Sequence, residues 1–177
     1  DLGNINFTFI TFISDKDETR VLDFSYFTKP VIKALTGLGL EARLDGRNDI
    51  ICENVKISGN AQCVYPRPDG RNILLHHGTL LFGADLDKLA LSLNVNAEKI
   101  KSKGIKSVKS RVLNIRTLLS EDMSTEEFYS YLIKNAENNY GTKAASFNNE
   151  EITKIQKLDA EKYSTWEWNF GKSPNFD

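Results

Sequence analysis

Apolar and polar positions alternate in part near the start of the chain, where Phe7, Phe9 and Ile10 stand among threonines, and residues 6–14 read as a β-strand. After the charged loop "SDKDETR", Phe27, Val31, Ala34, Leu35 and Leu38 recur at helical spacing, and Gly39 supplies a stop. Proline suits a first turn and breaks an interior, so Pro30 predicts a helix that begins near Thr28. From Glu41 to Phe82 the pattern is strand-like. "LDGRND" is a turn, "IIC", "VKIS" and "AQCVY" are short strands, "RPDG" is a hairpin turn and "NILLHHGTLLF" is the returning strand. Asp85 is placed to cap a short helix, "LDKLALSL". The clearest helix is "STEEFYSYLIKNAENNYG". Ser124 and Glu127 have capping-box spacing, Phe128, Tyr131, Leu132 and Ala136 share a face, and Gly141 ends it. "NNEEITKIQKLDAEKYS" predicts a second helix or a partly helical link. In the closing "WEWNFGKSPNF", Trp166, Trp168, Phe170 and Phe176 are expected to anchor that segment on the core. Strands joined by hairpins, mixed with helices, make the fold class α+β: a mixed or antiparallel sheet flanked by helices.

Composition narrows the function. The 177 residues suit one ordinary domain, and 40% hydrophobic with 27% charged residues is the balance of a soluble globular protein. The net charge of −1 gives no global field for nucleic acid or an anionic membrane, so neither is an expected partner. "INFTFITFIS" is too short and too interrupted by Asn and Thr to span a bilayer, and it lacks the flanks of a signal peptide. Cys52 and Cys63 form neither a disulfide framework nor a CxxC motif, and read as reduced thiols in a cytoplasmic protein.

Candidate chemistry centres on "NVKISGNAQ", Asn54 to Gln62. In a regular strand Lys56, Ser58 and Asn60 share a polar face, and Val55, Ile57 and Gly59 an apolar one. On this pattern alone Lys56 reads most simply as a solvated edge-strand lysine. Gly59 removes a side chain where a ligand or another backbone could approach. "GRND" puts Asn48 and Asp49 at a turn, where ordinary turn chemistry explains them, and Asp49 is also of the type that holds a metal or orients a cation. His76 and His77 point to opposite faces of a strand and cannot chelate one metal together. One reads as a core histidine, and the other, with Gly78 and Thr79, could line a site. The run from Glu98 to Val112 interleaves lysines with serines and a glycine, which suits an anion such as phosphate. The chain has no Walker A loop, GxGxxG or nucleophile elbow.

"DLGN", "GRNDI", "KISGNAQ", "LHHGTLL", "GIKSVKSRV" and "WEWNFGKSP" occur in this order, and the set resembles the lipoate-protein ligase A family from Asp1 to Phe176. The resemblance implies the biotin/lipoate ligase catalytic-domain fold. It also implies a two-step reaction with ATP and Mg²⁺: lipoic acid is activated to lipoyl-adenylate, and the lipoyl group then passes to a lysine of a carrier. The carriers it implies are the lipoyl domains of 2-oxoacid dehydrogenase complexes and the glycine-cleavage carrier protein. By the resemblance Lys56 is the catalytic lysine. Asn48, Asp49, Ala61, His77, Gly78 and Thr79 line the adenylate pocket, with Asp49 a candidate Mg²⁺ ligand. Gly104, Lys106, Ser107, Val108, Lys109, Ser110 and Arg111 belong to a loop that covers the adenylate. The family's Arg-rich loop ending in Ser-Gly-Gly-Gly precedes "DLGN" and is not in this chain, and Cys63 stands where some members have arginine. The expectation is therefore that Asp1–Asp177 is the later, larger part of the catalytic domain, without the upstream loop and the downstream accessory domain. Both of these are candidate partners. Two other readings remain open: a cysteine-dependent lipoyl or octanoyl amidotransferase that needs no ATP, and a non-catalytic carrier-binding fragment.

Overall fold

A computed structural model of the chain describes residues 2–13, 23–69, 71–92 and 112–171. The chain divides into two compact units, Asp1–Tyr140 and Gly141–Asp177.

In the first unit, β1 (Asn4–Ile13), β2 (Arg43–Asp45), β3 (Asp49–Cys52), β4 (Val55–Tyr65) and β5 (Asn72–Leu81) form one antiparallel sheet in the order β1-β5-β4-β3-β2. The two short strands expected at "VKIS" and "AQCVY" are one continuous strand, β4. Its first half pairs with β3 and its second half with β5. The tight β3–β4 turn runs through Glu53 and Asn54, both at positive φ (50° and 62°), as a two-residue hairpin of primed type requires.

Helix α1 (Phe24–Gly37) begins four residues before the expected Thr28 and holds Pro30 in its interior. Asp23 caps it by accepting from the Ser25 amide. Starting early buries Phe24 and Phe27, each worth roughly 1.5–3 kcal/mol, which offsets the roughly 3 kcal/mol cost of an interior proline. Its end is a Schellman motif: Gly39 sits at φ +81°, its N–H donates to the Thr36 carbonyl, and Leu40 N–H donates to that of Leu35. Helix α2 (Leu86–Ser92) is capped by Asp85, and α3 (Thr125–Tyr140) opens with the Ser124–Glu127 capping box. Helices α1 and α3 cover one face of the sheet. Val31 and Leu35 meet Ile50, Ile57 and Leu80 there, and Phe82 stacks on Phe128 at 4.3 Å between ring centroids. On β1 the odd positions turn to this core, while Asn6, Thr8, Ile10 and Phe12 stay exposed on the other face.

The second unit comprises α4 (Asn149–Leu158), a π-turn (Asp159–Tyr163) and α5 (Trp166–Asn169). Asn148 and Glu151 form a capping box. In this unit Trp166, Trp168 and Phe170 are each more than half exposed. Their ring contacts are local, with Tyr163 edge-on to Trp168 at 5.1 Å and Lys162 lying over Trp168. Phe176 lies outside the described residues. No helix among the described residues is long and apolar enough to cross a membrane.

His76 is the core histidine, fully buried among the rings of Phe7, Phe9, Phe24 and Phe27. The Asn60 amide nitrogen donates to the Asn48 carbonyl, so Asn60 Oδ1 is left as the acceptor and His76 Nε2, 3.3 Å away, carries the proton. Nδ1 is then a buried acceptor with no partner among the described residues. Burial first, and the neighbouring His77 second, push the His76 pKa from 6.5 down to about 4. Between those values the unfolded chain binds a proton that the folded chain refuses, so stability falls as pH falls. The loss is expected to reach roughly 3 kcal/mol, read by denaturant unfolding across that range, and His76→Gln, which keeps a donor but does not titrate, flattens the slope. Gly78 faces the same core, where an added Cβ would stand 2.3 Å from both Asn60 Oδ1 and Phe7 Cζ. Gly78→Ala is expected to destabilise by roughly 1–3 kcal/mol in the same measurement.

Candidate functional site

Asp49 lies opposite Gly59 and Ile50 opposite Ser58, but Ile51 lies opposite Lys56. Ile57 is therefore an extra residue in β4, a β-bulge. The bulge corrects the face expected from regular alternation. Ser58 and Asn60 are buried on the helix side together with Ile57, while Lys56 turns to the other face with Gly59 and Asp49. There the Lys56 ammonium lies 2.7 Å from Asp49 Oδ1, and the two side chains are 39% and 35% exposed. An added Cβ on Gly59 would stand 3.2 Å from Lys56 Nζ. The space left by the missing side chain of Gly59 is thus crossed by the lysine itself.

Asp45, on β2, is directly opposite Asp49 and shares its face. Like charges placed opposite each other repel, and the Lys56 ammonium offsets that repulsion. The pairing of Asp45 with Asp49 does not show in the sequence, because "LDGRND" reads as one turn. Only the strand register separates the two carboxylates onto facing strands.

The other expected site residues divide between the two faces. Ala61 and His77 are cross-strand partners, exposed on the same face as Lys56, and Thr79 follows His77 on that face, half-buried. Gly78 belongs to the packed face, where it gives room to Asn60 and Phe7. Asn48 sits at the edge, with its side-chain amide donating to the Asn60 carbonyl at 2.7 Å. The loop residues Gly104, Lys106, Ser107, Val108, Lys109, Ser110 and Arg111 lie outside the described residues. Val112, the next residue, forms a parallel bridge to Lys56, and Leu113 N–H donates to the Lys56 carbonyl at 3.0 Å.

An ammonium has three donors, and Asp49 takes one. Among the described residues nothing else takes the other donors of this half-exposed lysine, which leaves them for an anion arriving from the open face. Among the described residues no three His, Cys, Asp or Glu side chains gather as a metal cage. Asp49 alone is still the donor type for Mg²⁺ that arrives with phosphate, because such an ion is held by one or two carboxylates plus phosphate oxygens and water.

Residues 1–137 match the family of the lipoyl protein ligase A/B catalytic domain. The chain belongs to this family. Lipoate-protein ligase 1 of Staphylococcus aureus is 41% identical over 177 residues, and lipoate-protein ligase LplJ of Bacillus subtilis 43% over 180; each match covers 100% of this chain and 52% of the relative. The chain thus spans about half the length of the curated relatives it matches. Among solved structures, the bi-partite lipoate protein ligase of Thermoplasma acidophilum, described with its E2 lipoyl domain, superposes with a TM-score of 0.77 at 29% identity, covering 99% of this chain and 67% of that one. A lipoate protein ligase structure from the same organism, with bound lipoic acid, gives 0.71 at 26% identity, covering 97% and 66%.

In this lipoyl protein ligase domain the glycine under the lysine has a testable place. Gly59→Ala is expected to leave unfolding stability within about 1 kcal/mol, because alanine suits a strand better than glycine does. The flexible Lys56 side chain gives way instead, and a crystal structure of the variant should show its ammonium shifted by a few tenths of an ångström.

Proposed function

We propose that the chain is the larger part of the catalytic domain of an ATP-dependent lipoate-protein ligase. The observation that carries this reading is the Lys56 ammonium held against Asp49 across Gly59 on the exposed sheet face of a chain in this family. In the first step a carboxylate oxygen of lipoic acid attacks the α-phosphorus of ATP, and pyrophosphate leaves. In the second, a carrier lysine amine attacks the acyl carbon of lipoyl-adenylate, AMP leaves and the amine gives up a proton.

The first step brings two anions together. Unit charges about 4 Å apart repel by roughly 4 kcal/mol near a protein surface, and a fixed cation between them offsets a term of that size. Lys56 supplies that cation, prepositioned by Asp49, and it stabilises the charge that builds on the phosphoryl oxygens. His77, Thr79 and Ala61 flank the same face. Asn48 and Gly78 contribute from behind, through backbone and packing. Asp49 would hold Mg²⁺, which supplies charge neutralisation to the phosphates. Val112, which follows the basic run in sequence, bridges to Lys56, and the run is proposed to cover the adenylate and add positive charge.

The proposed acceptors are lipoyl domains of 2-oxoacid dehydrogenase complexes and the glycine-cleavage carrier protein. The T. acidophilum ligase described with its E2 lipoyl domain supports an acceptor of this kind. The cytoplasm is the proposed compartment, in keeping with two free thiols. A cysteine-dependent transfer is less well supported. Burial pushes the Cys52 thiol up, away from the reactive thiolate, and Cys63 has no described activating partner.

Lipoate-dependent exchange between ATP and pyrophosphate tests the reading in the full-length protein. Lys56→Ala is expected to lower exchange by about a hundredfold or more, while Cys63→Ser leaves it intact. Undiminished exchange in Lys56→Ala would sink the role given to the lysine.

A further inference from the structure

We infer that Asn60 is a positioning residue that sets the Lys56–Asp49 pair from the opposite side of the sheet, an inference that rests on the ligase reading for its functional meaning. Asn60 is 4% exposed and faces the core, where an apolar side chain would be the ordinary choice. A buried amide is costly unless its groups are paired, and here nearly every one is. Its backbone N–H and its side-chain nitrogen both donate to the Asn48 carbonyl at 2.9 Å. The Asn48 amide donates back to the Asn60 carbonyl at 2.7 Å. Three hydrogen bonds therefore tie residue 60 to residue 48, the last residue before Asp49.

The clasp works through the backbone. Asn60 points to the core and Asp49 to the open face, so Asn60 does not touch what binds at Lys56. By holding the Asn48 carbonyl it fixes the peptide plane that leads into Asp49, and with it the direction of the carboxylate that grips Lys56. His76 and Gly78 steady Asn60 from behind. The imidazole meets its Oδ1, and the glycine leaves the space that the amide fills. The ion pair thus has a buried support on β4 and β5, two strands not adjacent to the Asp45 turn in sequence.

The test is the reactivity of the lysine itself, in the full-length protein without lipoate or ATP. Acetylation by a succinimidyl acetate is followed site by site by mass spectrometry, with exposed Lys29 and Lys134, neither paired with a carboxylate among the described residues, as internal standards. An ammonium clamped by a carboxylate reacts slowly. Asn60→Leu is expected to raise the Lys56 rate about fivefold relative to the standards, and to add nothing once Asp49→Asn has already released the lysine, as coupling through one path requires. Asn48→Ala, which removes the return hydrogen bond at a half-exposed turn, should act in the same direction and serves if Asn60→Leu does not fold. An unchanged Lys56 rate in the variants, or effects of Asn60→Leu and Asp49→Asn that simply multiply, would overturn the inference and leave Asn60 a packing residue. The two readings fail separately. Absence of lipoate-dependent exchange in the wild type removes the ligase reading while a released Lys56 upholds the positioning. Exchange with an unmoved Lys56 rate does the reverse.

Discussion

A strand sends successive side chains to opposite faces, so residues three apart, such as Lys56 and Gly59, cannot share a face while that period holds. Ile57 breaks it. The extra residue turns Lys56 outward to the side of Gly59 and Asp49, while Ser58 and Asn60 stay on the helix side. The geometry of the candidate site follows from this one irregularity: a cation over a glycine, a carboxylate 2.7 Å from it, and a second carboxylate one strand further out. Bulges are found where a strand must re-aim a side chain, and this one re-aims the lysine.

The two faces of the sheet have opposite demands. The open face carries charge and exposed side chains. The packed face buries Asn60, Ser58 and His76, the last among aromatic rings, and there each unpaired polar atom is costly. Pairing meets most of that cost, and what is left falls on His76 Nδ1 and on Oε1 of its cross-strand neighbour Gln62, neither of which has a partner among the described residues. Such a network defines a single arrangement more sharply than an apolar core does, because each member fixes its neighbour's donor and acceptor pattern. Around it, α1 and α3 supply the apolar burial, with the Phe82–Phe128 stack joining the end of the sheet to α3.

Much of the fold was legible in the sequence. The threonine-rich strand, the "RPDG" hairpin, the Asp85 cap and the Ser124 helix all stand where period and caps put them. Errors arose where a tertiary contact overrode a local rule. Pro30 marked a helix start by propensity, yet the burial of Phe24 and Phe27 around His76 carried the helix four residues further back. Within the site, Lys56 and Asp49 were named from motif resemblance, whereas Asp45 and Asn60 carried no motif and were not.

The class of fold, most of the elements and their order, and the residue types available for chemistry can be read from the chain alone, because these depend on local periodicity and on residues close in the chain. Which face of β4 Lys56 occupies, that Asp45 faces Asp49, that Gly78 serves the core, and that Asn60 holds Asn48 emerge in three dimensions alone. Each of those is a matter of register between strands. Register is set by pairing partners far apart in sequence and by one inserted residue that local patterning does not reveal.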